Sequence, residues 1–174
     1  MRSSVRVRSA SPRSWVRACT ARATSSRSIR PRDAAKRFGA DVVVDPAHED
    51  PAEIVRGLTD GLGADVAIEA VGTPSAFELT VSLARAGGHV ANIGVHGKPA
   101  TLHLESLWIK DVTITTGLVD TSSTPTFLRL LAGHQIDASG FATHHFRLDE
   151  FEQAYDVFSR VAETGALKVV LQRR

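Results

Sequence analysis

Two glycine-containing segments are the strongest chemical signal in this sequence. The first is the apolar run ADVAIEAVG, which ends at Val71 and Gly72, and the second is GGHVANIGVHG, which contains Gly94 and Val95. Both runs are predicted to be strands of a parallel sheet, and such sheets bind ligands beyond the carboxyl ends of their strands. Because glycine lets a backbone approach a ligand closely, these four residues mark the predicted position of a nucleotide cofactor. The alternative for the glycines is ordinary turn chemistry.

Other residues with reactive side chains give weaker signals. Glu69 lies in an otherwise apolar strand, where a structural carboxylate with satisfied hydrogen bonds is favoured over acid–base catalysis. His96, in the GVHG turn, is interpreted as a cofactor or substrate contact or, preferably, as a solvated turn histidine. His144 and His145 are adjacent, so on an extended segment they point to opposite faces and do not chelate one metal together. Cys19 is the single cysteine, which rules out a four-cysteine zinc site.

A strand–helix–strand unit is predicted to position the two glycine segments. Thr73 can cap the helix PSAFELTVSLARA, Pro74 occupies its first position, and Gly87 is the predicted left-handed stop. The strand before this helix is apolar without alternation, as expected when helices cover both faces of a parallel sheet. The connection between the two strands is therefore predicted to be right-handed.

The rest of the chain continues the alternation of helices and strands. Helices are predicted in DAAKRFGA, PAEIVRGLTDGLG, ESLWIK and STPTFLRLLAGHQ, and strands in DVVVD, DVTITTGL and LKVVLQ. A last helix is predicted at the capping-box pair Asp149 and Glu152, with an apolar stripe that begins at Phe151. This pattern is typical of an α/β fold.

The first 32 residues differ in composition from the rest. They contain nine arginines and no acid (+9), so residues 33–174 carry 12 bases and 19 acids (−7), and the two parts give the net charge of +2. This Arg- and Ser-rich tract has neither helical nor strand periodicity, and residues 1 to about 25 are expected to lack packed tertiary contacts. Four interpretations are open: a transit-peptide-like presequence, a nucleic-acid-binding arm, plain disorder, and translation of a GC-rich gene in a shifted frame. The shifted frame is favoured, because residues 24–30 read one base out of register can encode a strand that ends in an acid.

Residues 33–174 resemble the carboxyl-terminal part of a medium-chain, zinc-type alcohol dehydrogenase. The resemblance lies in the order and spacing of AAKRFGAD, DVAIEAVG, GGHVANIGVHG, DVTITTG and GALKVVL. It implies a truncated Rossmann-type parallel sheet with helices on both faces, plus a piece of the missing catalytic domain. The sheet is expected to lack its first strand, and the presence of its second strand is left open. The implied organisation is an anomalous tract at 1–32, a partial dinucleotide-binding domain at 33–119, and carboxyl-terminal helices and a strand at 120–174.

The resemblance also implies a site for NAD or NADP. Val71 and Gly72 match the end of the strand that lies against the adenosine side of the cofactor. Ile93, Gly94 and Val95 match the segment that flanks the nicotinamide, where backbone groups hold the carboxamide.

Two further pieces of the implied site lie later in the chain. Leu118 and Val119 match the segment that completes the carboxamide pocket. Lys168 matches a basic residue that pairs with the pyrophosphate, and its alternative is an outward side chain on an edge strand. The choice between NAD and NADP stays open, because the residue that reads the ribose 2′ position would lie in the first tract.

The pieces that the sequence lacks determine the expected activity. There is no G-x-G-x-x-G turn for the pyrophosphate and no identifiable ligand set for a catalytic zinc. The parent activity implied is oxidation of an alcohol by zinc-assisted hydride transfer to NAD(P), which this chain alone is not expected to perform. The alternative is a non-catalytic nucleotide-binding or interaction module with a basic amino-terminal arm. The alcohol itself is not readable, because the absent half would build most of the substrate pocket.

The resemblance implies a homodimer in which the strand Val112–Thr116 pairs with its copy. This strand is β-branched throughout and contains no Lys or Pro, the usual guards against edge pairing. No apolar run is long enough to cross a membrane and no aromatic platform accompanies the arginines, so neither a membrane nor a nucleic acid is an expected partner. The single cysteine and the lack of an evident secretory signal favour a cytoplasmic location.

Overall fold

Helices and strands alternate along both units of the structure, a computed structural model that describes residues 2–8, 15–21, 30–117 and 121–173. The first unit contains residues 2–8, 15–21 and 30–117, and the second contains residues 121–173. The prediction of an α/β fold is confirmed, because each unit contains parallel strand pairs together with helices.

A six-stranded sheet forms the centre of the first unit. The strands are β1 (Arg2–Arg8), β2 (Trp15–Ala21), β3 (Val42–Val44), β4 (Ala64–Glu69), β5 (Ala84–Asn92) and β6 (Thr113–Thr116). Their spatial order is β3-β2-β1-β4-β5-β6. The pairs β2–β3, β4–β5 and β5–β6 are parallel, whereas β1 runs antiparallel to both of its neighbours.

Helices of the first unit pack against this sheet. They are α1 (Arg30–Arg37), α2 (Pro51–Leu58), α3 (Pro74–Leu83) and the single turn α4 (Leu104–Leu107). Helix α3 contacts β4 and β5, and α1 contacts β3. Strand β4, helix α3 and strand β5 thus form the predicted βαβ unit.

The expectation that residues 1 to about 25 lack packed tertiary contacts is wrong for β1 and β2, which are paired within the sheet. They lie between β3 and β4 in the sheet order, where the first strand was expected to be missing, and β1 pairs with β4 in the register Ser4↔Ile68, Val5↔Ala67 and Arg6↔Val66. Pairing satisfies the backbone N–H and C=O groups along the edge of β4, which would otherwise lack partners. Backbone pairing requires no side-chain periodicity, so the sequence pattern did not reveal it.

The start of α3 was predicted correctly and its end was not. The Thr73 hydroxyl accepts a hydrogen bond from the Ala76 N–H (3.4 Å), and Pro74 occupies the first turn. The helix ends at Leu83, however, because Ala84 is extended and pairs with Ala64. Gly87 (φ 67°) instead lies within an irregularity of β5, where its N–H donates to the Lys110 carbonyl (2.7 Å).

The core of the first unit lies between the sheet and helices α2 and α3. Its buried members are apolar and come from both helices and both central strands: Val55, Ala64, Ala67, Val81, Leu83, Ala84 and Val90. This packing fixes the direction of β4 and β5 and hence the position of the turns that follow them.

The second unit is a smaller layer of helices on two parallel strands. Its elements are α5 (Thr124–Ala132), β7 (Ala142–Arg147), the 3₁₀ turn Leu148–Glu150, α6 (Phe151–Ser159), α7 (Val161–Thr164) and β8 (Lys168–Gln172). Helix α6 contacts both strands. The predicted capping box of Asp149 and Glu152 is wrong, because the observed reciprocal cap lies two residues earlier: the Arg147 backbone N–H donates to Glu150 (2.7 Å). Across the described ranges of both units, no helix is long and apolar enough to cross a membrane.

Replacement of Val90 by alanine tests the packing of the central strand. Val90 is fully buried, so Val90→Ala is expected to lower the free energy of unfolding by about 2 kcal/mol through lost burial and a residual cavity. Val95→Ala is the matched control, because that side chain is 87% exposed, and a change below about 0.5 kcal/mol is expected. Urea denaturation of both variants measures the difference, and equal effects would contradict the assigned core.

Candidate functional site

The carboxyl ends of β4 and β5 meet at one edge of the sheet, because the two strands are parallel. Strand β4 ends at Glu69 and β5 ends at Asn92. The N–H groups of Ile93 and Gly94 both donate to the Glu69 carbonyl, at 2.8 and 3.1 Å. The turn after β5 is therefore hydrogen-bonded to the end of β4, and the two predicted glycine segments come together.

Gly72 and Gly94 allow the two turns to touch. Gly72 has φ 79°, and a Cβ atom there would lie 2.2 Å from the Val95 carbonyl oxygen. A Cβ atom on Gly94 would lie 2.3 Å from Glu69 Oε2 and 2.4 Å from the Gly72 nitrogen. Both glycines are thus required by the approach of one turn to the other. The sequence analysis predicted close approach to a cofactor and gave turn chemistry as the alternative, and the contacts seen here are those of the alternative.

The Glu69 side chain is completely buried beneath these turns. Its Oε1 accepts hydrogen bonds from the N–H groups of Val71 (2.6 Å) and Gly72 (2.8 Å). Its Oε2 has no hydrogen-bond partner in the described part of the chain and lies 3.3 Å from His96 Nε2. These contacts agree with the favoured interpretation of Glu69 as a structural carboxylate, although only one of its oxygens is bonded.

His96 is not the solvated turn histidine that the sequence analysis favoured. Its side chain is only 19% exposed, and Nε2 lies 2.9 Å from Asn92 Oδ1. The ring meets Phe77 of α3 edge to face, with centroids 6.0 Å apart. The turn folds back over the end of β5 and buries the imidazole, which no local sequence pattern indicates. Sequence reasoning also missed Asn92, whose only signal was its position four residues before a histidine.

Apolar side chains remain exposed around this buried carboxylate. Ile93 is 57% exposed and Val95 is 87% exposed, although both follow a central strand. Exposed aliphatic side chains at the carboxyl edge of a parallel sheet form a surface on which a flat ring can pack. The carboxyl edge therefore presents an exposed apolar surface beside the buried carboxylate.

The other predicted site residues are not part of this edge: one lies in the second unit, and two lie outside the residues that the structure describes. Leu118 and Val119 lie outside the described residues. Lys168 is the first residue of β8 in the second unit, and its side chain is exposed. His144 and His145 have separate partners, Thr143 Oγ1 at 3.0 Å and Gln172 Nε2 at 2.8 Å respectively.

The described residues do not fit two groups that the resemblance implies. No set of three or more His, Cys, Asp or Glu side chains in the described ranges is arranged to hold a metal ion, so a zinc site is not formed by them. For the cofactor pyrophosphate, the first strand should lead into a glycine turn at the carboxyl edge of β4. Here β1 is antiparallel to β4, so its carboxyl end lies at the opposite edge of the sheet. The nicotinamide part of the site fits and the pyrophosphate part does not.

The first unit has the strand order of a dinucleotide-binding sheet, and Gly72 and Gly94, here called the glycine cradle, lie at its carboxyl edge. The family model described as "Zinc-binding dehydrogenase" matches residues 19–133. The chain therefore belongs to the zinc-binding dehydrogenase family, and the resemblance inferred from the sequence is confirmed.

Relatives and solved structures agree with this assignment. L-threonine 3-dehydrogenase of Bacillus subtilis is 34% identical over 140 residues, which are 79% of this chain and 40% of that protein. The apo form of zinc dependent alcohol dehydrogenase 2 from Streptococcus pneumonia matches with a TM-score of 0.76 and 43% identity, over 82% of this chain and 41% of that one. A zinc-binding dehydrogenase of Sinorhizobium meliloti bound to NADP matches with a TM-score of 0.73 and 26% identity, over 87% and 43% of the two chains. The chain thus spans about two fifths of the length of the proteins it matches.

The glycine cradle predicts that replacing a glycine by alanine lowers stability at Gly94 but not at Gly97. Gly94→Ala is expected to lower the free energy of unfolding by roughly 2 to 3 kcal/mol, because the new Cβ would strike Glu69 and the Gly72 backbone. Gly97→Ala is the control in the same turn, since a Cβ there would meet nothing within 4 Å. Thermal unfolding of the two variants distinguishes them, and equal stability would show that the two turns do not touch.

Proposed function

We propose that this chain is the carboxyl-terminal part of an oxidoreductase that oxidises an alcohol by hydride transfer to NAD or NADP. The observation that carries the proposal is the glycine cradle of Gly72 and Gly94, with Ile93 and Val95 exposed beside it at the joined ends of two parallel strands. The family match and the NADP-bound neighbour support the same assignment.

The chain's own residues would hold the nicotinamide half of the cofactor. Ile93 and Val95 offer apolar surface to the ring, and the backbone of this segment, with Leu118 and Val119 by resemblance, offers hydrogen-bonding groups to the carboxamide. Val71 and Gly72 would lie toward the adenosine side, and Lys168 would pair with the pyrophosphate. The nicotinamide, when bound, supplies the hydride acceptor.

We also propose that this chain alone does not turn over an alcohol. The described residues form neither a metal centre nor a pyrophosphate turn, and the chain spans about two fifths of its relatives. Exposed aromatic side chains on α6, such as Phe151, Tyr155 and Phe158, support a role for residues 120–174 as a surface for the absent catalytic domain. Residues 33–119 would then be the partial dinucleotide-binding domain. The single cysteine supports a cytoplasmic location.

An activity assay tests this proposal directly. The purified chain with NAD or NADP, a panel of alcohols and L-threonine is expected to form no NADH or NADPH above a blank without the alcohol, with or without added zinc. The physical reason is the absence of a metal centre from the described residues. The Streptococcus pneumonia enzyme serves as a positive control for the assay. Zinc-stimulated turnover by this chain would contradict the proposal.

The alternative function, a non-catalytic nucleotide-binding module, is separated by a second measurement. Fluorescence titration of the chain with NADH and NADPH is expected to give weak, saturable binding, because only the nicotinamide part of the site fits. Tight binding without turnover would instead favour the module, and complete absence of binding would count against both functions.

We propose that β6 is a dimerisation edge. It is the last strand in the sheet order, its four residues are all β-branched, and in the described ranges it pairs only with β5. Such a strand leaves N–H and C=O groups available to a second copy, and a two-fold axis would pair them. Val112, immediately before β6, would extend the paired segment.

Thr113→Lys is expected to shift the chain from dimer toward monomer at tens of micromolar, because a lysine on an edge strand opposes pairing. Thr113 is exposed, whereas Ile114 packs against the core and is a poorer choice for the substitution. Thr101→Lys is the control, since this exposed residue lies outside the strands and the charge change is the same. Sedimentation velocity measures the outcome, and a monomeric unmodified chain would remove the basis for the proposal.

A further inference from the structure

We propose that His96 is a positioning residue that anchors the nicotinamide-binding turn through an imidazole protonated on Nε2. The anchor joins three elements: Asn92 at the end of β5, Glu69 at the end of β4 and Phe77 in α3. Its relevance to cofactor binding rests on the proposed function, whereas the anchor itself is a property of the free chain.

The neighbours of Nε2 determine where the proton lies. Nε2 is 2.9 Å from Asn92 Oδ1 and 3.3 Å from Glu69 Oε2. The Asn92 amide is oriented by its own Nδ2, which lies 3.5 Å from the Gly94 carbonyl, so its oxygen faces the imidazole. The Asn92 amide oxygen can only accept a hydrogen bond, so His96 Nε2, at 2.9 Å, is the nitrogen that carries the N–H.

The other ring nitrogen supports the same tautomer. His96 Nδ1 is buried and has no hydrogen-bond partner among the described residues. A buried N–H without an acceptor is rarer and less tolerable than a buried acceptor without a donor. The proton therefore belongs on Nε2, and Nδ1 carries the lone pair.

This anchor holds the part of the turn that the backbone does not. Among the described residues, the hydrogen bonds from the backbone of this turn to the Glu69 carbonyl come from Ile93 and Gly94. Val95 is largely exposed, and Gly97 is exposed beyond it, so the His96 side chain is the contact that fixes the distal half of the turn. Without it, the Val95 backbone would lose its defined position over Gly72. The two backbones are so close that a Cβ atom on Gly72 would lie 2.2 Å from the Val95 carbonyl oxygen.

Two substitutions distinguish the Nε2 donor from simple filling of space. Glutamine places an amide N–H close to the position of Nε2, and asparagine reaches only as far as Nδ1. In the free full chain, His96→Asn is expected to raise amide hydrogen exchange at residues 94–97 about tenfold, the effect of one lost hydrogen bond in a buried site, while His96→Gln changes it less than about threefold. The affinity for NADH is expected to follow the same order, with about tenfold weakening in His96→Asn.

The tautomer is measured in the unmodified chain, so the test does not depend on the folding of a variant. Histidine ¹⁵N spectra are expected to show His96 with a protonated Nε2 and a bare Nδ1. A proton on Nδ1 alone, or equal exchange and equal NADH affinity in the two variants, would overturn the proposal. If hydrogen exchange separates the variants while the unmodified chain binds neither NADH nor NADPH, the anchor stands and the proposed function fails.

Discussion

The buried carboxylate of Glu69 is the interaction on which the geometry of the site depends. A charged oxygen inside the sheet is costly unless it accepts hydrogen bonds, and the two N–H groups of Val71 and Gly72 meet this requirement at 2.6 and 2.8 Å. Their donation curls the chain after β4 into a tight turn. The same residue binds the turn after β5 through its carbonyl. One glutamate therefore sets both turns, and each glycine between them follows from the lack of space for a Cβ atom.

The reversed direction of β1 has a separate consequence for cofactor chemistry. The sheet order of the first unit matches that of a dinucleotide-binding sheet, in which a central first strand delivers the phosphate turn to the carboxyl edge. An antiparallel strand in this position completes the hydrogen bonding of β4 and leaves the carboxyl edge without that turn. In the described ranges, β1 therefore pairs with β4 as a sheet strand but does not lead into a phosphate-binding turn at the carboxyl edge.

The family match shows which strands this chain shares with zinc-binding dehydrogenases, and the local geometry shows which sites its described residues form. The match to zinc-binding dehydrogenases covers residues 19–133 and includes every strand from β3 to β6. The chain spans about two fifths of its relatives, and no metal centre is formed by the residues described. Ile93, Val95 and the aromatic residues of α6 are exposed apolar side chains.

The sequence alone determined the features that depend on local chemistry. Thr73 and Pro74 marked the start of α3, the apolar runs marked β4 and β5, and the two glycine segments marked the site edge, because caps, turns and apolar periodicity act between residues close in the chain. Only the tertiary structure decided the pairing of β1 with β4, the early end of α3 at Ala84 and the burial of His96. Each of these depends on partners far apart in sequence or on packing against another element, and such energies leave no periodic pattern in the residues themselves.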